Sequence, residues 1–386
     1  MPPTQPAGPP DIAAQLARLL AARLRPDALD GYRDQAWHWP GLVRLADAEG
    51  VAGLLRELVE REGLRPPEAE RLALERERYQ VLAVNTWLRA ETRRIAGALS
   101  AAGVELILLK GAALALTLFR DPGLRRMGDV DLLVRPEAVP AALAALRALG
   151  YAPGQVEAHR GSRLAFENEV MLYRSAPPET LVELHWQLFD DPFYQDRLPM
   201  AWFWARTRPA DLDGVAARQL EPSAQLLHLC AHLALHHGRP GHPRLRWLHD
   251  IAALLQAEGA AIDWPALLEP ARDWGLVLPL QSVLSELAAE PWRAALPAAA
   301  AAALANMAPS PAERAALARL TAPRPAAWRL WQDLRALTGW RRRLAFLAIN
   351  LVPGPRYMRQ RYGRGPLPTL YLRRWARGLR QLGRRG

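Results

Sequence analysis

Apolar positions recur with helical spacing over the first hundred residues. Residues 11–25 and 41–63 carry amphipathic patterns. After Pro67, Leu74, Val81, Leu88 and Ile95 return every seven positions, with Leu99 one turn further. That stripe predicts one long helix with a single buried face, and Gly103 is placed to end it. The pattern then changes. Val104–Leu109 is a short apolar run after a glycine, the signature of a buried strand. Lys110-Gly111 follows, then an apolar helix from Ala112 to about Phe119. Asp121-Pro122-Gly123 signals a turn.

Asp129–Val134 alternates and then becomes apolar, predicting a second strand. Pro136 opens a helix that runs to Leu149 and is closed by Gly150. Glu169–Tyr173 and Thr180–Trp186 predict two further strands. Strand, helix, strand, helix and paired strands together predict an α+β fold. In it a small mixed β-sheet is flanked by N-terminal and C-terminal helical regions. From Ser223 onward Leu226, Leu229 and Leu233 form one helical stripe. Leu245, Leu248, Ile251, Leu254 and Leu255 form another. The Ala-rich stretch near 294–308 predicts a helix with a loosely defined packing face. Beyond it, repeated prolines predict short helices joined by turns and draped over the body. No repeat of fixed period occurs.

With 386 residues, half of them apolar, the chain can bury substantial cores and is not a disordered polymer. The proline-rich opening, MPPTQPAGPP, has no apolar signal region, and no apolar stretch is long enough to span a bilayer. The single cysteine, Cys230, cannot form an intramolecular disulfide, in keeping with a reducing compartment. A cytoplasmic protein, free or peripheral to a membrane, is therefore expected.

Charge is distributed unevenly. Residues 321–386 hold sixteen arginines against one acidic residue, Asp333. An anionic partner, if charge attracts one, meets the C-terminus rather than the body. Forty-nine of the fifty basic residues are arginine, and Lys110 is the only lysine. A planar guanidinium cannot fill the space of a compact ammonium, so Lys110 marks a position where the difference matters.

Asp129 and Asp131, two apart on a predicted strand, point to one face. Taken alone, they read more readily as a solvated strand end with two surface acids. Held beside apolar neighbours, however, they repel unless a cation lies between them, and hard oxygen ligands suit Mg²⁺ or Mn²⁺. Glu183 and His185 fall on another alternating run that can pair beside the first and add a third carboxylate. Lys110-Gly111 at a strand-to-helix turn offers a point charge, a close backbone approach and free N–H groups to a phosphate. Arg125 and Arg126 stand just upstream of Asp129 and can pair with phosphate oxygens.

These motifs, Leu108-Leu-Lys-Gly-Ala-Ala-Leu114, Asp121-Pro-Gly-Leu-Arg125, Met127-Gly-Asp-Val-Asp-Leu-Leu-Val134 and Val182-Glu-Leu-His-Trp186, resemble the uncharacterised nucleotidyltransferase family of the DNA polymerase β-like superfamily. The resemblance is strong over residues 104–186 and looser through the helical flanks, including Trp247 and Asp250. It implies transfer of a nucleoside monophosphate from an NTP, with pyrophosphate leaving. Asp129, Asp131 and Glu183 would be catalytic and metal-binding, with Mg²⁺ or Mn²⁺ as cofactor. Lys110, Gly111 and Arg125 would bind nucleotide, and His185 would be accessory. In the expected mechanism one ion, on all three acids, activates the acceptor hydroxyl. A second ion, on the aspartate pair, holds the triphosphate.

The sequence departs from the superfamily in two respects. Lys-Gly stands where Gly-Ser is usual, and Asp129 lies eighteen residues beyond Gly111 rather than about a dozen.

The expected organisation is a disordered start (1–10), a helical region (11–102), the nucleotidyltransferase core (103–205), a helical domain (206–320) and a basic tail (321–386). The acceptor is open: a small molecule, peptide, protein or RNA. The alternatives are a non-catalytic nucleotide- or polyanion-binding module and a toxin-type enzyme acting on tRNA or protein. His228, His232 and His236 share a helix face and could carry zinc. With no His-Glu-x-x-His and no cysteine cluster, a packed or acceptor-facing stripe is the better expectation. Tryptophans interleaved with arginines near the C-terminus fit either core packing beneath a solvated basic face or a contact with RNA or lipid head groups.

Overall fold

The computed structural model describes residues 11–383 apart from 34, 160, 239–243 and 322–325. The first ten residues, expected to be disordered, lie outside the described residues. Helices α1 (Ile12–Leu24), α2 (Trp39–Ala48) and α3 (Ala52–Arg61) precede α4 (Glu68–Ala101), a helix of 34 residues. The seven-residue stripe becomes its buried face: Leu74, Val81, Leu88, Ile95 and Leu99 are all inside. Three polar residues, Asn85, Glu91 and Thr92, are buried along with it.

The fold is α+β around a seven-stranded mixed sheet. In chain order the elements are β1 (Leu106–Leu108), α5 (Lys110–Thr117), β2 (Val130–Val134), α6 (Val139–Ala148), β3 (Ala152–Pro153), α7 (Ser162–Phe166), β4 (Glu169–Arg174) and β5 (Thr180–His185). Then come α8 (Pro192–Gln195), α9 (Met200–Ala205), β6 (Thr207–Asp211) and β7 (Ala216–Leu220). The spatial order is β3-β4-β5-β2-β1-β7-β6. β1 and β2 are antiparallel, while β2 runs parallel to β5 and β1 parallel to β7.

Every residue of β1 and β2 is buried, as central strands covered on both faces require. Val130, Leu132 and Val134 pack with Val170, Leu172, Val182 and Leu184 beneath α4 and α6. Residues of opposite parity, including Ile107 and Leu133, join a second core beneath the later helices.

Three strands are not announced by the sequence pattern. β3 has two residues. The β6–β7 hairpin lies on a sheet edge within the stretch expected to be helical, and most of its residues are half-buried or exposed. Its Thr-Arg-Pro-Ala-Asp and Ala-Ala-Arg-Gln-Leu segments have little alternation to detect.

The second layer begins with α10 (Pro222–His236) and α11 (Leu245–Glu258). All of α10 except His236 is buried, so it is a central helix rather than an amphipathic one. Further out lie α12 (Trp264–Trp274), α13 (Val277–Ala288), α14 (Ala298–Ala305) and α15 (Pro311–Thr321). The C-terminal helices are α16 (Ala326–Ala336), α17 (Trp340–Leu351), α18 (Pro355–Tyr362) and α19 (Leu367–Gly383). They are fastened beside α7, where Gly354 N donates to Ala158 O at 2.6 Å and Val156 N to Gln360 Oε1 at 2.8 Å. Among the described residues no helix is long and apolar enough to cross a membrane.

A buried acid ties α4 to the other edge of the sheet. Glu91 accepts from Tyr151 Oη at 2.5 Å and lies 3.4 Å from Arg174 Nε, with Arg94 on its other side. Burial pushes its carboxyl up, but Arg94, Tyr151 and Arg174 outweigh that and hold it below the ordinary 4.5. The depressed folded-state pKa makes this contribution complete above pH 4.5, and it is lost as pH falls through the folded value. Glu91→Gln is therefore expected to cost about 2 kcal/mol at neutral pH. In thermal melts the gap to wild type should close below pH 4.5.

Candidate active site

Parallel pairing of β2 and β5 sets Asp131 opposite Glu183 and Leu133 opposite His185. On the next strand Glu169 pairs with His185 and Met171 with Glu183. Paired residues and their i±2 neighbours share a sheet face. Asp131, Glu183, His185 and Glu169 therefore project to one side, away from the core under α4. Asp129 stands just before β2 and is half-buried.

The lone lysine reaches the same place from β1. Leu109 is extended, and Lys110, the first residue of α5, has φ of +42°. This left-handed conformation is unfavourable for a side chain bearing a Cβ. It directs Lys110 Nζ to 2.6 Å from Asp131 Oδ1 and 3.3 Å from Glu183 Oε2. His185 Nε2 lies 3.1 Å from the same Asp131 oxygen, and its Nδ1 is 2.8 Å from Glu169 Oε2.

The electrostatics follow from these contacts. Burial would raise the Asp131 carboxyl, but Lys110 and His185 hold it far below the usual carboxylate range. Burial would discharge Lys110, yet Asp131 and Glu183 raise its pKa above the ordinary lysine value. His185, which burial alone would neutralise, is pushed up to about 10 by Asp131, Glu169 and Glu183. Asp129 is the group left short of positive charge. Burial, then repulsion from Asp131 and Glu183, lifts its carboxyl to about 7.

The loop carrying Asp129 is clamped from both sides. Asn85 of α4 donates to the carbonyls of Pro122 and Arg125, each at 2.7 Å, and accepts from Met127 N at 2.9 Å. Arg125 is buried and donates to Asp250 of α11, from Nε at 3.1 and 3.0 Å and from Nη2 at 2.7 Å. Its guanidinium is thus engaged inside the protein while still lining the cleft. A Cβ at Gly111 would come within 2.9 Å of Arg125 Nη1 and 3.3 Å of Met127 Cγ, so that glycine makes room for the clamp.

All seven residues singled out from the sequence, Asp129, Asp131, Glu183, Lys110, Gly111, Arg125 and His185, line one cleft of ≈ 400 Å³. Its far wall comes from α10 and α11. His232 stacks on His236 with ring centroids 4.9 Å apart and meets Trp247 at 4.7 Å. Burial drives the pKa of His232 and His236 down, so they form a neutral aromatic wall. Among the described residues, Asp131, Glu183 and His185 form the group whose ligand atoms gather closely enough to hold a metal, within 4.8 Å of one another, and the α10 histidines do not. A larger cavity of ≈ 1010 Å³, bounded by Phe346 and Tyr357 of the C-terminal helices, shares Asn168, Glu169, Met171 and Asp190 with this cleft.

Two cleft features escape a reading of the sequence. Arg246 lines the cleft with its Cζ 5.3 Å from the Trp247 ring centre. Its Nε is buried without a hydrogen-bond partner among the described residues. Nothing distinguishes it among forty-nine arginines. Asn85 did leave a signal, because it sits between Val81 and Leu88 of the seven-residue apolar stripe.

A family model described as an uncharacterised nucleotidyltransferase matches residues 35–293, about two thirds of the chain. No curated protein matches the sequence. Among solved structures, an antigenic nucleotidyltransferase-like protein from Paracoccidioides brasiliensis is similar at 17% identity and a TM-score of 0.35. The likeness covers 58% of this chain and 95% of that one, and is too distant to bear on the site.

Removing the clamp tests its role. Asn85→Ala leaves buried carbonyls and an N–H unpaired and is expected to cost about 2–3 kcal/mol. Asn85→Asp should not rescue it, because a carboxylate would face the carbonyls of Pro122 and Arg125. Chemical denaturation of the three proteins measures both effects.

Proposed function

The chain belongs to the uncharacterised nucleotidyltransferase family, and on that premise we propose that it moves a nucleoside monophosphate from an NTP to an acceptor hydroxyl. The observation that carries this reading is the in-register pairing of Asp131 with Glu183, with Asp129 at the head of the same strand and all three in one cleft. A relationship to the DNA polymerase β-like superfamily belongs to the same proposal.

The donor set suits a divalent ion. Asp129 is a buried carboxyl displaced to about 7 by burial and by neighbouring negative charge, the deficit that a hard cation relieves. Asp129 and Asp131 would hold Mg²⁺ or Mn²⁺, which when bound supplies charge neutralisation to the triphosphate. Arg246, which lines the cleft, pairs with phosphate oxygens. The acceptor enters from the larger cavity past Met171 and Asp190. Its oxygen forms a bond to the α-phosphorus while the bond from that phosphorus to the α,β-bridging oxygen breaks. Pyrophosphate leaves with the electron pair, and Glu183 takes the hydroxyl proton.

Labelling cell extract with each of four radioactive NTPs, then identifying the labelled product, tests the reading and finds the acceptor. Asp129→Asn is expected to abolish Mg²⁺-dependent pyrophosphate release, and an undiminished rate would count against the proposal. The fold should survive. The folded state binds the Asp129 proton more tightly than the unfolded state, so wild type loses stability between pH 3.8 and about 7. In metal-free buffer above that range the variant should melt no lower than wild type. Arg246→Met should raise KM for the NTP about tenfold or more, with little change in melting temperature.

A further inference from the structure

The ligand atoms of Asp131, Glu183 and His185 have the spacing of a metal-ligand set, within 4.8 Å of one another. That place already holds a cation. Lys110 Nζ is 2.6 Å from Asp131 Oδ1 and 3.3 Å from Glu183 Oε2. The same Asp131 oxygen also receives His185 Nε2 at 3.1 Å. A divalent ion between Asp131 and Glu183 would have to evict an ammonium whose backbone is held in a left-handed turn to deliver it. The one lysine among fifty basic residues lies here, a compact point charge between two carboxylates rather than a planar fork.

We propose that Lys110 is a built-in counter-ion that takes one of the two cation positions of the carboxylate cluster, so that the chain binds a single divalent ion, at Asp129 and the other oxygen of Asp131, Oδ2. This deepens the nucleotidyltransferase reading and rests on it. Lys110 is then a positioning residue, which keeps Asp131 and Glu183 compensated whether or not metal is present. Phosphate falls to Arg246 instead.

Counting Mn²⁺ bound to the full chain by electron paramagnetic resonance tests this without activity. Wild type is expected to bind one ion, and Lys110→Ala and the longer, apolar Lys110→Met to bind two, with spin coupling between them. Two ions in wild type, or one in a folded variant, would overturn the proposal. Wild type that binds none would remove the metal-dependent reading beneath it, an outcome the count separates from two.

The C-terminal helices carry an independent feature. Trp340, Leu344 and Leu351 follow helical spacing along α17 and are 66%, 56% and 51% exposed. Leu372 and Trp375 of α19, three apart, are 63% and 43% exposed. Trp375 Nε1 donates to Leu351 O at 2.9 Å, which joins the two stripes. Arg341, Arg373 and Arg377 are exposed on the same two helices, within a stretch whose only acid is Asp333. Charge selects an anionic partner, while exposed tryptophan and leucine select one with an apolar layer beneath its charge.

We infer that this face docks on an anionic lipid surface. Co-sedimentation with vesicles of phosphatidylglycerol and phosphatidylcholine is expected, with about tenfold less on phosphatidylcholine alone. The double variant W340S/W375S should lose it while melting as wild type does. Retention on heparin unaltered by the double variant, without vesicle binding, would overturn the inference in favour of a nucleic-acid contact. No binding to either would overturn it outright.

Discussion

Everything in the cleft depends on the compensation of negative charge where ions are costly. Parallel pairing of β2 with β5 brings Asp131 and Glu183 side by side on a half-buried face. Unpaired carboxylates there would protonate or disrupt the sheet. The ammonium of Lys110 and the imidazolium of His185 prevent both for Asp131. This need explains a local cost. A lysine at φ of +42° is strained, and in that conformation the turn from β1 into α5 places Nζ between the two acids.

Compensation stops short of Asp129, and the proposed chemistry rests on that asymmetry. One acid of the pair is fully neutralised inside the protein, and the other keeps a demand for positive charge that the chain itself does not meet. A site arranged in this way is compensated at Asp131, and a cation at Asp129, as proposed above, would complete it. The opposite wall is neutral and aromatic, with Arg246 as a cleft cation set against Trp247. Under the proposed function it would be the wall that meets base and phosphate, apart from the carboxylates.

The walls are held at their distance by buried polar links between layers. Asn85 grips the loop before β2 from α4, and the Arg125–Asp250 pair grips it from α11. Glu49 accepts from the N–H groups of Leu245 and Arg246 at 3.0 and 3.4 Å and fixes the start of α11. These bonds join segments up to about two hundred residues apart. Breaking a buried pair of this kind costs more than the pair contributes, because it strands the remaining partner.

The sequence alone determined what periodicity can encode. It gave the stripe on α4, the apolar central strands, and the shared face of Asp129 and Asp131, because each follows from the repeat of a helix or a strand. It also marked Lys110, by composition. Only the tertiary structure decided partnership. Strand order put Glu183 rather than another acid beside Asp131, packing committed Arg125 to Asp250, and the fold left Arg246 facing the cleft. It also drew the β6–β7 hairpin onto the sheet edge, where half-exposed residues leave no alternation to read. Periodicity is local and survives in one dimension, whereas a salt bridge or a cleft depends on which distant segments meet, and chain order does not record that.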